Sequence, residues 1–387
     1  MKYDTLVLET KGSQETGDSI APRRDARETP SRTLTALSLF SGGGGLDLGF
    51  SAAGFRIGAS SDIDAFSCHT LMLNSGRKRF YKHAHSFAAD ITKVRSTDLL
   101  SPANLVASNI DIVIGGPPCQ AFSIFGQRKG LEDPRGNLVW EYLRIIREVE
   151  PKAFVFENVA GLLSIHGGKL YGQILEELSL GGRYTVSAHR YQVAEFGIPQ
   201  FRDRVFFIGA KNGTSVPPME PTHGKQSLFS CRPYRTAGEA LRGLKEPGHA
   251  HSPPNHLGRE HSQRIVDRYR DLAFGERDPK TRINKLDPKR PSFAIIVGSD
   301  KGGGKGHVHP HTAREVTPRE SARMQTFPDW WEFHGTGRHV IRQVGNAVPP
   351  LFAAILAEHI KKHIFGAKSQ KTYDELVNIL ELDFLRS

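Results

Sequence analysis

Short apolar runs alternate with amphipathic stretches through the first half of the chain. Leu34–Phe40, Arg56–Ser60, Ile110–Ile114 and Ala153–Phe156 read as buried strands. Between them, Leu46 to about Ala53, Ala65–Asn74 and Leu138–Val149 carry apolar residues at helical spacing. A helix near Leu170–Leu178 and strands near Thr185–Gln192 and Val205–Gly209 extend the series. Strand–helix alternation of this kind predicts an α/β fold with a mainly parallel sheet.

After Gly209 the pattern changes. Residues 211–335 are rich in Gly, Pro, His, Lys and Arg, with only brief apolar stretches such as Phe293–Val297, which predicts a smaller, loop-rich second domain. Apolar patterning resumes at Val340 and is helical through Leu351–Ile364, and Tyr373–Leu385 has the spacing of a helix lying on the surface. Residues 1–33 are polar and aperiodic, as in a disordered tail. The expected organisation is therefore a tail at 1–33, a catalytic domain at 34–224, a second domain at 225–335 and a C-terminal return at 336–387.

Composition narrows the class. A net charge of +11 suits a polyanionic partner. Three widely spaced cysteines, Cys68, Cys119 and Cys231, argue against a disulfide framework and for a reducing, cytoplasmic setting. No run of about 18 apolar residues predicts a membrane span, and Met1–Thr5 lacks a signal-peptide pattern.

Chemistry gathers at the expected strand ends. Gly115-Gly-Pro-Pro-Cys-Gln120 presents one cysteine just past a buried run; such a thiol is either a small core hydrophobe or a nucleophile, and the stiffened lead-in favours the nucleophile. Phe40-Ser-Gly-Gly-Gly-Gly45 joins a strand to a helix and serves either as a plain turn or as a cradle for a polar ligand. Asp62 ends the next apolar run, where a carboxylate either caps a helix or meets ribose hydroxyls, and Asp90-Ile91 opens another segment with one acceptor, itself a possible cap, and one apolar contact. Glu157 closes the run Ala153–Phe156, whose apolar approach raises a carboxyl pKa toward that of a proton donor. Strand alternation puts Gln200, Arg202 and Arg204 on one face; the two guanidiniums need anionic or carbonyl partners, in a salt-bridged edge or in a clamp on a phosphate or base carbonyl. The histidines at 249–261 and 307–311 lack the cysteine partners of a zinc site, so no metal is expected.

Six blocks in order, Phe40-Ser-Gly-Gly-Gly-Gly, Pro117-Pro-Cys-Gln, Glu157-Asn-Val, Gln200-Phe-Arg-Asp-Arg, Arg319-Glu-Ser-Ala-Arg-Met-Gln and Gly345-Asn-Ala-Val, resemble those of the C5-cytosine DNA methyltransferases of bacterial restriction–modification systems. The resemblance spans about 34–365. It implies a Rossmann-like methyltransferase sheet with a smaller target-recognition domain, acting on double-stranded DNA. It also implies a monomer associated with the nucleoid, with a cognate restriction endonuclease as a second partner. S-adenosylmethionine would lie against Phe40, Gly42, Gly44, Gly45, Asp62, Ile63, Asp90, Ile91, Pro118, Leu138, Asn346 and Ala347 and leave as S-adenosylhomocysteine. Cys119 would attack C6 of a flipped cytosine, Glu157 would hold N3 and the amino group, and Arg204 would hold O2 with Arg202 in support. Gln120, Ser123, Arg128, Lys129, Arg135 and Gln200 would meet DNA, with 120–137 as a closing loop. Where the family often has an aromatic residue stacking on adenine, this chain has Ile63. The family's Thr-Leu or Thr-Val recognition pair has its nearest match at Ile296-Val297, within a compact segment at about 225–312 that implies a short target. The related branch that methylates tRNA, a catalytically dead DNA-binding regulator and a nicotinamide-dependent oxidoreductase are the competing readings.

Overall fold

The computed structural model describes residues 32–82, 85–118, 137–163, 169–211, 213–225, 231–295, 297 and 306–386. Most of the expected tail lies outside the described residues, as do Cys119, Gln120, Ser123, Arg128, Lys129, Arg135 and Ile296.

Seven strands form the central sheet: β1 (Thr35–Leu39), β2 (Arg56–Asp62), β3 (Ser86–Ala88), β4 (Ile112–Gly115), β5 (Ala153–Val159), β6 (Thr185–Gln192) and β7 (Asp203–Ala210). Their order is β3-β2-β1-β4-β5-β7-β6. The first five positions are joined by parallel pairings, while β7 runs antiparallel to both β5 and β6. The short β3 was not anticipated: at three residues it is held by pairing with Ser60–Asp62 rather than by an apolar run. Two strands also outlast their apolar runs. β5 continues to Val159 and β7 begins at Asp203, because Glu157–Val159 pair with Arg204–Phe206 and the ladder carries both strands past the core.

Alternation gives the sheet two buried faces. Leu37, Leu39, Val113, Phe154, Phe156, Val205 and Phe207 pack against α3 (Ser96–Leu100), α4 (Asn137–Val149) and α5 (Lys169–Leu178). Ala36, Ile112, Ile114, Ala153, Val155, Phe206 and Ile208 pack against α1 (Gly45–Ala52) and α10 (Pro350–Phe365). The result is the expected Rossmann-like layering. A third cluster joins α1 and α10 to α2 (Ala65–Asn74), α8 (Pro318–Met324), α9 (Gly337–Asn346) and α11 (Tyr373–Leu380). The C-terminal segment is therefore not a surface appendage: Leu376, Leu380, Leu382, Phe384 and Leu385 are buried in that cluster, supplying an apolar face that α8–α10 complete. Gly337–Phe365 is long and apolar enough by composition to cross a bilayer, but 83% of its apolar window is buried within the protein.

Thr33–Ser387 clusters as one compact unit. Within it the described part of 225–335 holds only short elements, among them α6 (Ala237–Leu241) and α7 (Gln263–Asp271). A satellite core of Tyr269, Leu272, Ile283 and Val308 sits there, with Arg268 and buried Asp278 paired at 3.0 Å beside it.

Candidate active site

Parallel strands deliver all their carboxyl ends to one edge of a sheet, where open α/β folds bind ligands. Here that edge carries the turn after β1, Asp62 at the end of β2, Gly116–Pro118 after β4 and Glu157 in β5. Because β7 is reversed, its start rather than its end reaches the same edge, and Arg204 comes with it.

Glu157 pairs in register with Phe206, so Arg204 is its diagonal neighbour on the adjacent strand, on the same face. Arg204 Nε lies 2.9 Å from Glu157 Oε1, and Arg204 Nη1 donates to the Asp203 carbonyl at 2.7 Å. Burial pushes the Glu157 carboxyl above the ordinary glutamate range, against the pull of Arg204 and Arg202. The other carboxylate oxygen overlies the β4 turn: a Cβ on Gly116 would stand 2.7 Å from Glu157 Oε2. The glycine is what allows the carboxyl to lie over the chain that leads into Cys119. A carboxyl raised by burial, fixed by a guanidinium and set beside a cysteine lead-in, suits holding a proton on a bound heterocycle.

The other two residues of the Gln200–Arg204 face sit deeper than expected. Gln200 is fully buried, its Nε2 donating to Met324 O and its Oε1 accepting from Ile295 N, so it cannot face DNA in this conformation. Arg202, only 2% exposed, donates from Nη2 to Gly345 O at 2.8 Å and does not meet the open edge. The guanidiniums have the partners that their repulsion demanded, a carbonyl for one and a carboxylate for the other.

The glycine turn divides into a closed half and an open half. A Cβ on Gly44 would meet the Leu71 and Trp331 side chains at 2.4 and 2.9 Å, and one on Gly45 would meet Val348 O at 2.0 Å. On the Cβ side these two glycines serve close packing. Phe40 and Gly42 adopt left-handed backbone (φ 53° and 51°), and nothing lies within 4 Å of the place where a Gly42 Cβ would stand. Gly42 N donates to Asp62 Oδ2 at 2.8 Å and Asp64 N to Oδ1 at 2.9 Å. Burial pushes the Asp62 carboxyl up, opposed by these amides. Ile63 beside it is 75% exposed. Asp90 commits one oxygen to capping the turn Ile91–Lys93, and the Thr92 hydroxyl bond at 2.7 Å holds its carboxyl below the usual range. Ile91 is buried beneath that turn, Leu138 is half-buried, and Pro118 and Asn346 are exposed, with Ala347 closing α9. An open Gly42, a fixed Asp62 and the uncovered Ile63 and Asn346 leave room at this edge for a polar ligand.

Some positioning residues escaped the sequence reading. Asn158 Nδ2 donates to Pro117 O at 3.1 Å, a buried tie from β5 to the cysteine lead-in. Gln325 Nε2 donates to Val344 O and Ala347 O, holding the end of α9. Arg319, fully buried, donates to the carbonyls of Pro254, Pro328 and Trp331. These residues lie inside or beside the quoted blocks, but their partners are distant carbonyls that leave no mark in a side-chain pattern. The histidines have structural partners: His256 bonds Thr317 Oγ1 and Lys245 O, and His307 bonds Phe293 O.

A family model described as C-5 cytosine-specific DNA methylase matches residues 34–362. The type II methyltransferase M.NgoFVII of Neisseria gonorrhoeae is 35% identical over 370 residues, covering 90% of this chain and 92% of that protein. The type II methyltransferase M.AquIA of Picosynechococcus sp. is 40% identical over 253 residues, 62% of this chain and 98% of that one. Among solved structures, a DNA modification methyltransferase candidate encoded within an Escherichia coli prophage aligns with TM-score 0.69 at 26% identity, over 87% of this chain and 100% of its own. The S. pombe Dnmt2 methyltransferase aligns with TM-score 0.56 at 16% identity, over 85% of this chain and 99% of its own, a likeness of fold alone.

Proposed function

The chain belongs to the C-5 cytosine-specific DNA methylase family, a DNA cytosine-5-methyltransferase of the restriction–modification kind, and from that premise we propose how it works. It flips a cytosine out of a short duplex target and attaches Cys119 to C6, so that C5 accepts a methyl group from S-adenosylmethionine. The flip follows from access, since a stacked base shields these atoms. The observation that carries this reading is the Glu157–Arg204 pair, set at the sheet edge over the turn that leads into Cys119.

Carbon 5 of cytosine is too weak a nucleophile to react unaided. Addition of the Cys119 thiolate to C6 moves electron density to C5, while Glu157 holds the proton at N3 and Arg204 the O2 carbonyl. The upward shift of the Glu157 carboxyl by burial supports its holding that proton. Once C5 carries the methyl group, loss of the C5 proton and expulsion of the thiolate restore the ring and free Cys119. When bound, S-adenosylmethionine supplies an electrophilic methyl group on a sulfonium centre. Phe40, Gly42, Asp62, Ile63, Asp90, Ile91, Pro118, Leu138, Asn346 and Ala347 would hold it, with Gly44 and Gly45 closing the turn behind. Gln120, Ser123, Arg128, Lys129 and Arg135 would contact the duplex, and 225–335 would read the target. The methylation would protect that target from a cognate endonuclease. The tRNA-directed branch is not favoured, because the relatives at 35–40% identity are type II methyltransferases.

The test is incubation with labelled S-adenosylmethionine and either duplex DNA or tRNA, with Cys119→Ser alongside. Label in DNA cytosine at C5, lost in the variant, is expected. Label in tRNA alone, or an active Cys119→Ser, overturns the reading.

A further inference from the structure

A guanidinium taken out of water needs compensation from fixed dipoles or charges. Arg202 is almost wholly buried and finds it in two directions. Its Nη2 donates at 2.8 Å to the Gly345 carbonyl, in the last turn of α9, where unpaired carbonyls form the negative end of the helix. The neighbouring carbonyls of Val344 and Ala347 are taken by Gln325, so this helix end is held from two sides. The second source is Glu157, which shares the face of Arg202 and Arg204 and whose charge acts on both arginines' side of the site. Burial pulls the Arg202 guanidinium down to about 9, with Arg204 adding to the shift and Glu157 opposing it.

Gly345 is also a contact on its other side. A Cβ there would stand 2.5 Å from Val297 Cγ2 and 3.3 Å from Ile295 Cγ2, so Ile295 and Val297 lie directly against it. Ser292, just before them, is tied to the chain leading into β7: Gln200 and Ser292 form a parallel bridge, Phe201 N donates to Ser292 O at 2.8 Å, and Ser292 N donates to Pro199 O at 2.9 Å. The chain around Arg202 thus closes a ring through the expected recognition segment, the end of α9 and the strand that bears Arg204.

We propose that Arg202 is a positioning residue that clamps the Gly345–Ala347 turn to β7 and so sets the cofactor edge, the Glu157–Arg204 pair and the recognition segment in one geometry, without touching the base. This rests on the reading of Asn346 and Ala347 as cofactor contacts. Cofactor affinity and the proton affinity of Glu157 both depend on the clamp. Among the described residues, Arg204 and Arg202 are the charged groups that lower the Glu157 carboxyl, so losing either charge moves it further up.

The experiment compares wild type with Arg202→Gln, Arg202→Lys and Gly345→Ala. S-adenosylhomocysteine binding is measured by calorimetry without DNA, and methyl transfer to duplex DNA across pH. Arg202→Gln weakens S-adenosylhomocysteine about tenfold or more, the order expected for one lost charged hydrogen bond. It also moves the Glu157 limb of the pH profile upward and leaves KM for DNA near wild type. Arg202→Lys restores the charge and returns the pH limb, but not the affinity. Gly345→Ala weakens S-adenosylhomocysteine without moving the limb, and thermal melts confirm that each variant is folded. Unchanged affinity and an unchanged limb in Arg202→Gln refute the proposal, as does a rise confined to KM for DNA, which makes Arg202 a substrate contact. A wild type that binds no S-adenosylhomocysteine refutes the cofactor reading and this proposal together.

Discussion

Gly116→Ala tests the site at its narrowest point. The added methyl would lie 2.7 Å from Glu157 Oε2, while the next atoms, Glu157 O and Cβ, are at 3.5 and 3.7 Å. Only the carboxylate is in conflict, and it must retreat by roughly 0.7 Å to reach ordinary contact. Its other oxygen is bound to Arg204 Nε at 2.9 Å, so the retreat stretches that bond or tilts the carboxyl away from where N3 would sit. A charged hydrogen bond is worth about 1.5–3 kcal/mol. Loss of that much transition-state stabilisation slows methyl transfer by about 10- to 100-fold. The fold is spared, because no backbone atom is displaced and the residue before a proline is extended anyway. Gly115→Ala provides the contrast: its methyl would stand 2.6 Å from Leu39 O and 3.1 Å from the Tyr142 ring, and backbone cannot yield, so stability falls. Single-turnover transfer of label to duplex DNA and a thermal melt separate the two. A Gly116→Ala protein that melts like wild type and transfers methyl at the wild-type rate refutes the assignment of Glu157 to the reacting base.

Asn158→Ala removes the tie to Pro117 O, worth about 1 kcal/mol, and is expected to slow single-turnover transfer about fivefold while the melting temperature changes little. Glu157→Gln removes a buried carboxyl whose folded pKa is raised, so its ionisation opposes folding. The variant gains stability over wild type as pH rises above the ordinary glutamate value of 4.5, and the gain vanishes below it. Urea melts at pH 4 and pH 8 read that difference, and a stabilisation present only at acid pH contradicts the cause assigned. Arg319→Met strands the carbonyls of Pro254, Pro328 and Trp331 in the interior and costs about 3–5 kcal/mol, seen as a lower urea midpoint.

The sheet was legible because its strands are buried on both faces and stand out as unbroken apolar runs, from Leu37 in β1 to Phe207 in β7. Their limits were less so. Glu157 was expected just beyond a strand and lies within one, since pairing with β7 continues after hydrophobicity stops. In the glycine turn the sequence marks a tight place without saying which side is open. Gly42 faces space, whereas Gly44 and Gly45 admit Trp331 and Val348, residues that lie about 300 positions away. Asn158, Gln325 and Arg319 went unread for a further reason: each bonds main-chain carbonyls, and a carbonyl has no sequence identity. Side-chain types therefore marked the candidate groups, while the residues that hold them had to be seen in three dimensions.

The reversed strand explains why one short motif serves two purposes. In an all-parallel sheet the start of a strand lies at the edge away from the site, and arginines placed there would face the wrong way. Reversing β7 brings Arg204 to the edge beside Glu157. Strand alternation keeps Arg202 on the same face, roughly 6.6 Å before Arg204 and so farther toward that edge, just ahead of β7. There it is buried by other segments rather than left open, and its guanidinium meets the end of α9 at Gly345. A spacing of one residue would have put the second guanidinium on the opposite face, at the half-exposed position where Asp203 pairs with Arg190 at 3.2 Å. The Arg-x-Arg interval is thus the shortest that puts one cation on the substrate side and one on the supporting side of a single face.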